Sequence, residues 1–222
     1  MKRKTLAVIL FICAICLPFS ARADTLYLNG VSGNVDLTGS GYISPYYGGL
    51  NNPSGMDSIY CIDPTHESYV NTNWNVNKSL LDTSTDLSKT YLGMASVGDA
   101  RTRYEEAAWL LFGQNTPYAS KSVDDQKAIQ AAIWYIIDPS NSTGLGSVLG
   151  SSDPWVTAAA TNFSAGNYST VYILSDSNSD NSKLNQEFMV NSVPEPTTLL
   201  LLGSGLFGLG GFARLRKKFR KS

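Results

Sequence analysis

The chain has 222 residues, with 17 basic and 18 acidic side chains and a net charge of −1. That length bounds the fold to one domain, or to one domain with a subdomain. The charge is unevenly spread. Four basic residues lie at or before Arg22 and six lie beyond Ala213, so residues 24–192 carry seven basic against 17 acidic side chains, a net −10. Such a body has no basic face for phosphates, which disfavours nucleic acid as a partner. Solubility outside a cell explains the acidity equally well.

The N-terminus reads as a secretory signal. Lys2, Arg3 and Lys4 precede an apolar run from Leu6 to Phe19, and Ala21-Arg22-Ala23 has the small-x-small pattern that signal peptidase cuts. Residues 1–23 are therefore expected to leave, with the mature chain beginning at Asp24. Cys13 and Cys16 depart with them, and Cys61 becomes the only cysteine of the mature chain. An internal disulfide is then excluded even in an oxidising compartment. A lone exported cysteine is buried and inert, paired between chains, or chemically committed.

Within the body, Thr25–Leu28, Val35–Leu37 and Ser58–Ile62 alternate like short strands. Tyr42–Pro53, with its prolines, glycines and asparagines, reads as a loop. A helix is predicted from an Asp99 cap through Phe112, with Tyr104, Ala107, Ala108 and Leu111 on one face and Gly113 ending it. Ser122 can cap a second helix, with Asp125 as its capping-box partner. Ala128, Ile129, Ala132, Ile133, Ile136 and Ile137 give that helix a broad apolar face, and Pro139 stops it. Asp153-Pro154 starts a shorter helix through about Ser164. Strand character returns at Ser169–Leu174 and Gln186–Val190, across a polar loop. The order predicts an α+β fold: a β-sandwich-like sheet with a helical insert over about 99–164, flanked by a signal peptide and a C-terminal membrane anchor.

That anchor occupies residues 193–222. Val193-Pro194-Glu195-Pro196 comes first, an uncharged stretch from Thr197 to Ala213 follows, and Arg214, Arg216, Lys217, Lys218, Arg220 and Lys221 close the chain. The stretch is at the short limit for spanning a bilayer, about 17 residues. The basic cluster would stay cytoplasmic. This order of parts resembles the PEP-CTERM sorting signal of Gram-negative bacteria. The resemblance implies recognition by an exosortase, cleavage near Pro194-Glu195-Pro196, a transient hold in the inner membrane, and release to the cell surface or extracellular matrix.

Two segments stand out chemically: Tyr60-Cys61-Ile62-Asp63 on a strand, and Ile129-Gln130-Ala131-Ala132-Ile133-Trp134 inside the second helix. Gln130 is the polar member of an otherwise apolar run. Together the segments resemble the thioester domain family of bacterial surface adhesins, which pairs an aromatic-Cys-apolar segment with a later Gln-x-Ala-Ile-Trp helix. The resemblance implies that the Cys61 thiolate attacks the Gln130 carboxamide and expels ammonia, leaving an internal thioester. Tyr60, Ile133 and Trp134 would shield that bond from water. An amine on a surface or matrix protein, or a small amine, would then be coupled once, so the chain is not expected to be an enzyme and needs no cofactor. Family members often carry Thr where Ile129 stands here.

Other readings stay open. Cys61 can be inert in a protein that binds exopolysaccharide non-covalently or fills the biofilm matrix. A hydrolase built on Cys61 and His66 lacks any further catalytic signature. One histidine and one cysteine are too few for a zinc site. Asp176–Asp180 alternates like a calcium loop but lacks the glycine and distal glutamate. Trp74, Trp109, Trp134 and Trp155 could stack on sugars, though Trp109 and Trp134 sit in apolar helices.

Overall fold

The computed structural model describes residues 23–35, 41–140, 151–166, 168–178 and 184–191. Six strands form: β1 (Asp24–Val31), β2 (Tyr46–Leu50), β3 (Asp57–Cys61), β4 (Thr72–Leu80), β5 (Val171–Asp176) and β6 (Phe188–Asn191). They close into a barrel in the order β1-β2-β3-β6-β5-β4, with every pair antiparallel. Among the described residues, closure leaves no strand at an unpaired edge.

The expected sandwich-like sheet is therefore corrected to a barrel. The element that closes it is β4, which pairs with β1 on one side and β5 on the other. Its apolar positions Trp74 and Val76 alternate with Asn73, Asn75 and Asn77, so the strand is half polar and shows only two inward anchors. The predicted loop over Tyr42–Pro53 is also corrected, because it contains β2. Two successive glycines look like turn residues, but here they allow a close approach. A Cβ at Gly48 would lie 2.3 Å from the Tyr27 carbonyl oxygen of β1. Val35 forms an isolated bridge with Tyr42; the rest of its expected strand lies outside the described residues.

The helices fall between β4 and β5. They are α1 (Tyr91–Met94), α2 (Ala100–Ala108), α3 (Val123–Ile137) and α4 (Pro154–Asn162). A π-helical turn over Trp109–Gly113 extends α2, and a 3₁₀ turn covers Tyr118–Ser120. Asp99 sits at the start of α2 without capping it through its side chain; it pairs instead with Arg103 at 3.0 Å. The α3 capping box forms as expected: Ser122 Oγ accepts the Asp125 N–H at 3.1 Å and donates to Asp125 Oδ2 at 2.8 Å. Asp153 caps α4 ahead of Pro154. Helix α3 is buried from Gln126 to Ile137 on nearly all sides, packed against α2 and α4. A helix apolar almost all round belongs inside. Among the described residues no helix is long and apolar enough to cross a membrane. The expected apolar signal run and the C-terminal anchor lie outside those residues.

One buried carboxyl joins the barrel to the helices. Glu187, just before β6, accepts the Tyr91 N–H of α1 at 2.9 Å, the Tyr104 hydroxyl of α2 at 2.6 Å and the Ser175 hydroxyl of β5 at 2.5 Å. Burial raises its pKa to about 7, helped by nearby Asp63, while its three donors pull the other way. The folded state therefore holds this proton more tightly than the unfolded chain does. The associated stability is fully present below the ordinary carboxyl value and is lost as pH rises through about 7. Urea midpoints of the wild type and Glu187→Gln should test this. The wild type should lose stability relative to the variant between pH 5 and pH 8, and parallel curves would contradict it.

Candidate functional site

Strand β3 ends at Cys61, and its neighbours set the direction of the Cys61 main chain. Tyr60 pairs with Met189 and Cys61 with Phe188 across β6, and the Ile62 N–H donates to the Glu187 carbonyl at 3.0 Å. In an antiparallel ladder bonded and non-bonded pairs alternate. Cys61 falls at the non-bonded position, so its N–H and C=O point away from β6, toward the side of β2. That strand pairs with β3 only from Tyr46 onward, short of the position opposite Cys61. Both main-chain groups of Cys61 must find partners elsewhere.

They find Ser44 and Gln130. The Cys61 N–H donates to Ser44 Oγ at 2.9 Å, and Gln130 Nε2 donates to the Cys61 carbonyl at 2.8 Å. Ser44 N–H in turn donates to Gln130 Oε1 at 3.1 Å. The two contacts fix the carboxamide's orientation, since an N–H requires the oxygen and a carbonyl requires the NH₂. The Tyr118 hydroxyl closes the group, lying 3.2 Å from the Ser44 carbonyl and 3.1 Å from that of Gln126. Ser44, Cys61 and Gln130 are all fully buried. Residues 86 and 69 positions from Gln130 thus meet around one side-chain amide.

The thiol is sealed in. Cys61 is unpaired, and its sulfur lies 3.4 Å from the Asp63 carbonyl oxygen. Burial pushes its pKa well up, and the Asp63 carboxylate adds to that. At neutral pH it is a protonated thiol. Trp134 works in the opposite direction. Its indole N–H is buried without a hydrogen-bond partner of good geometry, yet it stands near enough to the sulfur to favour the thiolate. Asp63 is anchored on its other side by its Oδ2, 2.6 Å from His66 Nδ1 and 3.3 Å from the Glu187 N–H. His66 also stacks edge-on against Tyr91.

Of the expected site residues, the structure sets the Gln130 side chain against the Cys61 carbonyl, with Ile133 and Trp134 following on α3 and Tyr60 preceding Cys61 on β3. Ile133 is fully buried, one turn beyond Gln130, and Trp134 is 9% exposed. Tyr60 is half-buried, its ring edge-on to Phe112 at 5.3 Å and to Tyr118 at 5.6 Å. An open cavity of about 860 Å³, lined by residues of all six strands, reaches Tyr60 and Phe112. Both rings line that cavity, and the Tyr60 ring meets Tyr118 behind it. Sequence reasoning missed Ser44, Tyr118 and Phe112. A Ser-Pro pair at a strand start was the one available signal for Ser44. Nothing local marked Tyr118, which reaches the site from a 3₁₀ turn.

A model of the PEP-CTERM protein-sorting motif matches residues 192–217, which include Val193, Pro194, Glu195 and Pro196. The signal marks an exported protein sorted by an exosortase to the cell surface or beyond. The match covers the C-terminus and does not reach the body of the chain. No curated protein and no solved structure matches.

The carboxamide's two bonds carry a definite energetic expectation. Removing it strands the Ser44 N–H and the Cys61 C=O in a dry interior, at about 1–3 kcal/mol each. In a Cys61→Ala background, Gln130→Ala should therefore lower unfolding free energy by about 2–5 kcal/mol. Urea denaturation reads this directly, and a loss below about 1 kcal/mol would place the amide in contact with water instead.

Proposed function

We propose that the exported domain forms an internal thioester between Cys61 and Gln130 and uses it to couple covalently to amines at the cell surface or in the surrounding matrix. One observation carries the reading: the Gln130 carboxamide is held by its Nε2 on the Cys61 carbonyl and by its Oε1 on the Ser44 N–H, with Ser44, Cys61 and Gln130 all fully buried. The segments are far apart in sequence, and the bond between Gln130 Nε2 and the Cys61 carbonyl supports the proximity that an unreactive amide would need.

The Cys61 sulfur attacks Gln130 Cδ. The Sγ–Cδ bond forms, the Cδ–Nε2 bond breaks, and the thiol proton leaves with the nitrogen as ammonia. Ser44 N–H already lies on Oε1, where negative charge develops in the tetrahedral state. Trp134 Nε1–H favours the sulfur as it becomes anionic. Ile133, Trp134, Tyr60 and Phe112 keep water off the product, which hydrolysis would otherwise waste. An external amine later takes the acyl group and Cys61 returns as a thiol. Each molecule reacts once, which fits an adhesive or matrix component rather than a turnover catalyst.

A second reading keeps Cys61 inert in a non-covalent, exopolysaccharide-binding or structural matrix protein. Complete burial of the thiol, which pushes its pKa up, favours that reading. Intact mass separates the two. The mature domain should weigh about 17 Da less than its sequence, and Cys61→Ala should restore the full mass. Methylamine should then add at Gln130 and release one titratable thiol. Full mass with a thiol that titrates only on unfolding would establish the inert reading.

A further inference from the structure

Loss of ammonia changes more than the Cys61–Gln130 linkage. It removes the Nε2–H that donates to the Cys61 carbonyl at 2.8 Å. That carbonyl faces away from β6, beyond the end of β2, inside a fully buried pocket. Its partner on that side is the Gln130 amide nitrogen. The thioester form would therefore hold one orphaned backbone acceptor, positioned beside the acyl carbon at the place the departing nitrogen occupied. Oε1 keeps its Ser44 N–H donor throughout, so the vacancy is confined to a single acceptor.

We infer that the Cys61 main-chain carbonyl, orphaned on ammonia loss, selects the nucleophile, admitting primary amines and rejecting secondary ones. This rests on the thioester reading above. Aminolysis retraces thioester formation with R–NH₂ in the place of ammonia, so the incoming nitrogen takes the position that Nε2 left. In that step the N–Cδ bond forms, the Cδ–Sγ bond breaks, and one amine proton passes to the sulfur. A primary amine has a second N–H, which points at the Cys61 carbonyl and restores the lost bond in the product amide. A secondary amine spends its only N–H on the sulfur. Its tertiary amide then leaves the carbonyl buried and unsatisfied, with an alkyl group pressed against it. A site built around a hydrogen bond discriminates strongly against a ligand that cannot make it. The chemical class fits a lysine side chain, an alkylamine or an amino sugar with a free primary amine. It excludes N-alkylated amines and proline-type N-termini.

Ethylamine and dimethylamine test this cleanly, because they are isomers of equal mass and similar basicity. The thioester-bearing mature domain is incubated with each separately, and the gain of about 45 Da is followed by intact mass. A small soluble thioester in the same buffer supplies the intrinsic rate ratio. Relative to that ratio, ethylamine should be favoured by about tenfold or more. Equal corrected rates, or a domain that accepts neither amine, would overturn the inference while leaving the thioester standing. Absence of the initial 17 Da deficit would instead remove the thioester reading itself.

Discussion

The Gln130 carboxamide has a hydrogen bond at each end, and both partners are main-chain groups that the barrel leaves over. Strand pairing satisfies Cys61 on neither side: the β6 ladder turns its N–H and C=O outward, and β2 has already ended at Tyr46. Ser44 Oγ and Gln130 Nε2 complete it, and Ser44 N–H completes the amide. Helix α3, strand β3 and the segment before β2 are thereby tied at one buried point. A buried polar side chain in an apolar helix would be costly without such partners. With them it fixes how the helical layer sits on the barrel.

The surroundings of that point are negatively biased. Asp63 and Glu187 lie close enough to the sulfur to raise the thiol pKa beyond what burial alone does. A thiol kept protonated is a slow nucleophile toward outside reagents. Any reaction at this site draws on alignment and exclusion of water more than on acidity of the cysteine. Glu187 is itself shifted toward neutrality, which spares the interior a second full charge beside Asp63. The same carboxyl bridges α1, α2 and β5, so the support under Cys61 and the joint between layers share their atoms.

Export and chemistry agree in what they require. A PEP-CTERM signal sends the chain out of the cytoplasm, and a domain with one cysteine cannot be locked by an internal disulfide there. A closed barrel without free edges and a helix buried on nearly all sides supply the rigidity instead. A stored acyl bond, on the proposed reading, would turn that rigidity to use, because the shield must survive until an amine arrives.

Residue order alone was enough to place the sorting signal at 193–222, which the motif match at 192–217 overlaps, to find the capped helix at Ser122, and to single out an aromatic-Cys segment and a Gln-x-Ala-Ile-Trp helix. These are local patterns: charge next to apolar runs, a hydroxyl three residues before a carboxylate, and a 3.6-residue period. The barrel was not legible. Strand β4 alternates Trp74 and Val76 with asparagines, and two of the five residues of β2 are glycine, so turn-favouring residues mask both strands. Their identity comes from neighbours, since β4 is needed to join β1 to β5 and Gly48 is needed where the Tyr27 carbonyl crowds it. Ser44 and Tyr118 were likewise invisible. A serine before a proline and a tyrosine in a 3₁₀ turn acquire roles only once β2 stops short and leaves Cys61 with unspent hydrogen bonds. Sequence determined which polar side chains stand inside apolar elements and, through the sorting motif, where the chain is sent. Tertiary structure decided which backbone groups those side chains must satisfy, because that depends on where each ladder ends.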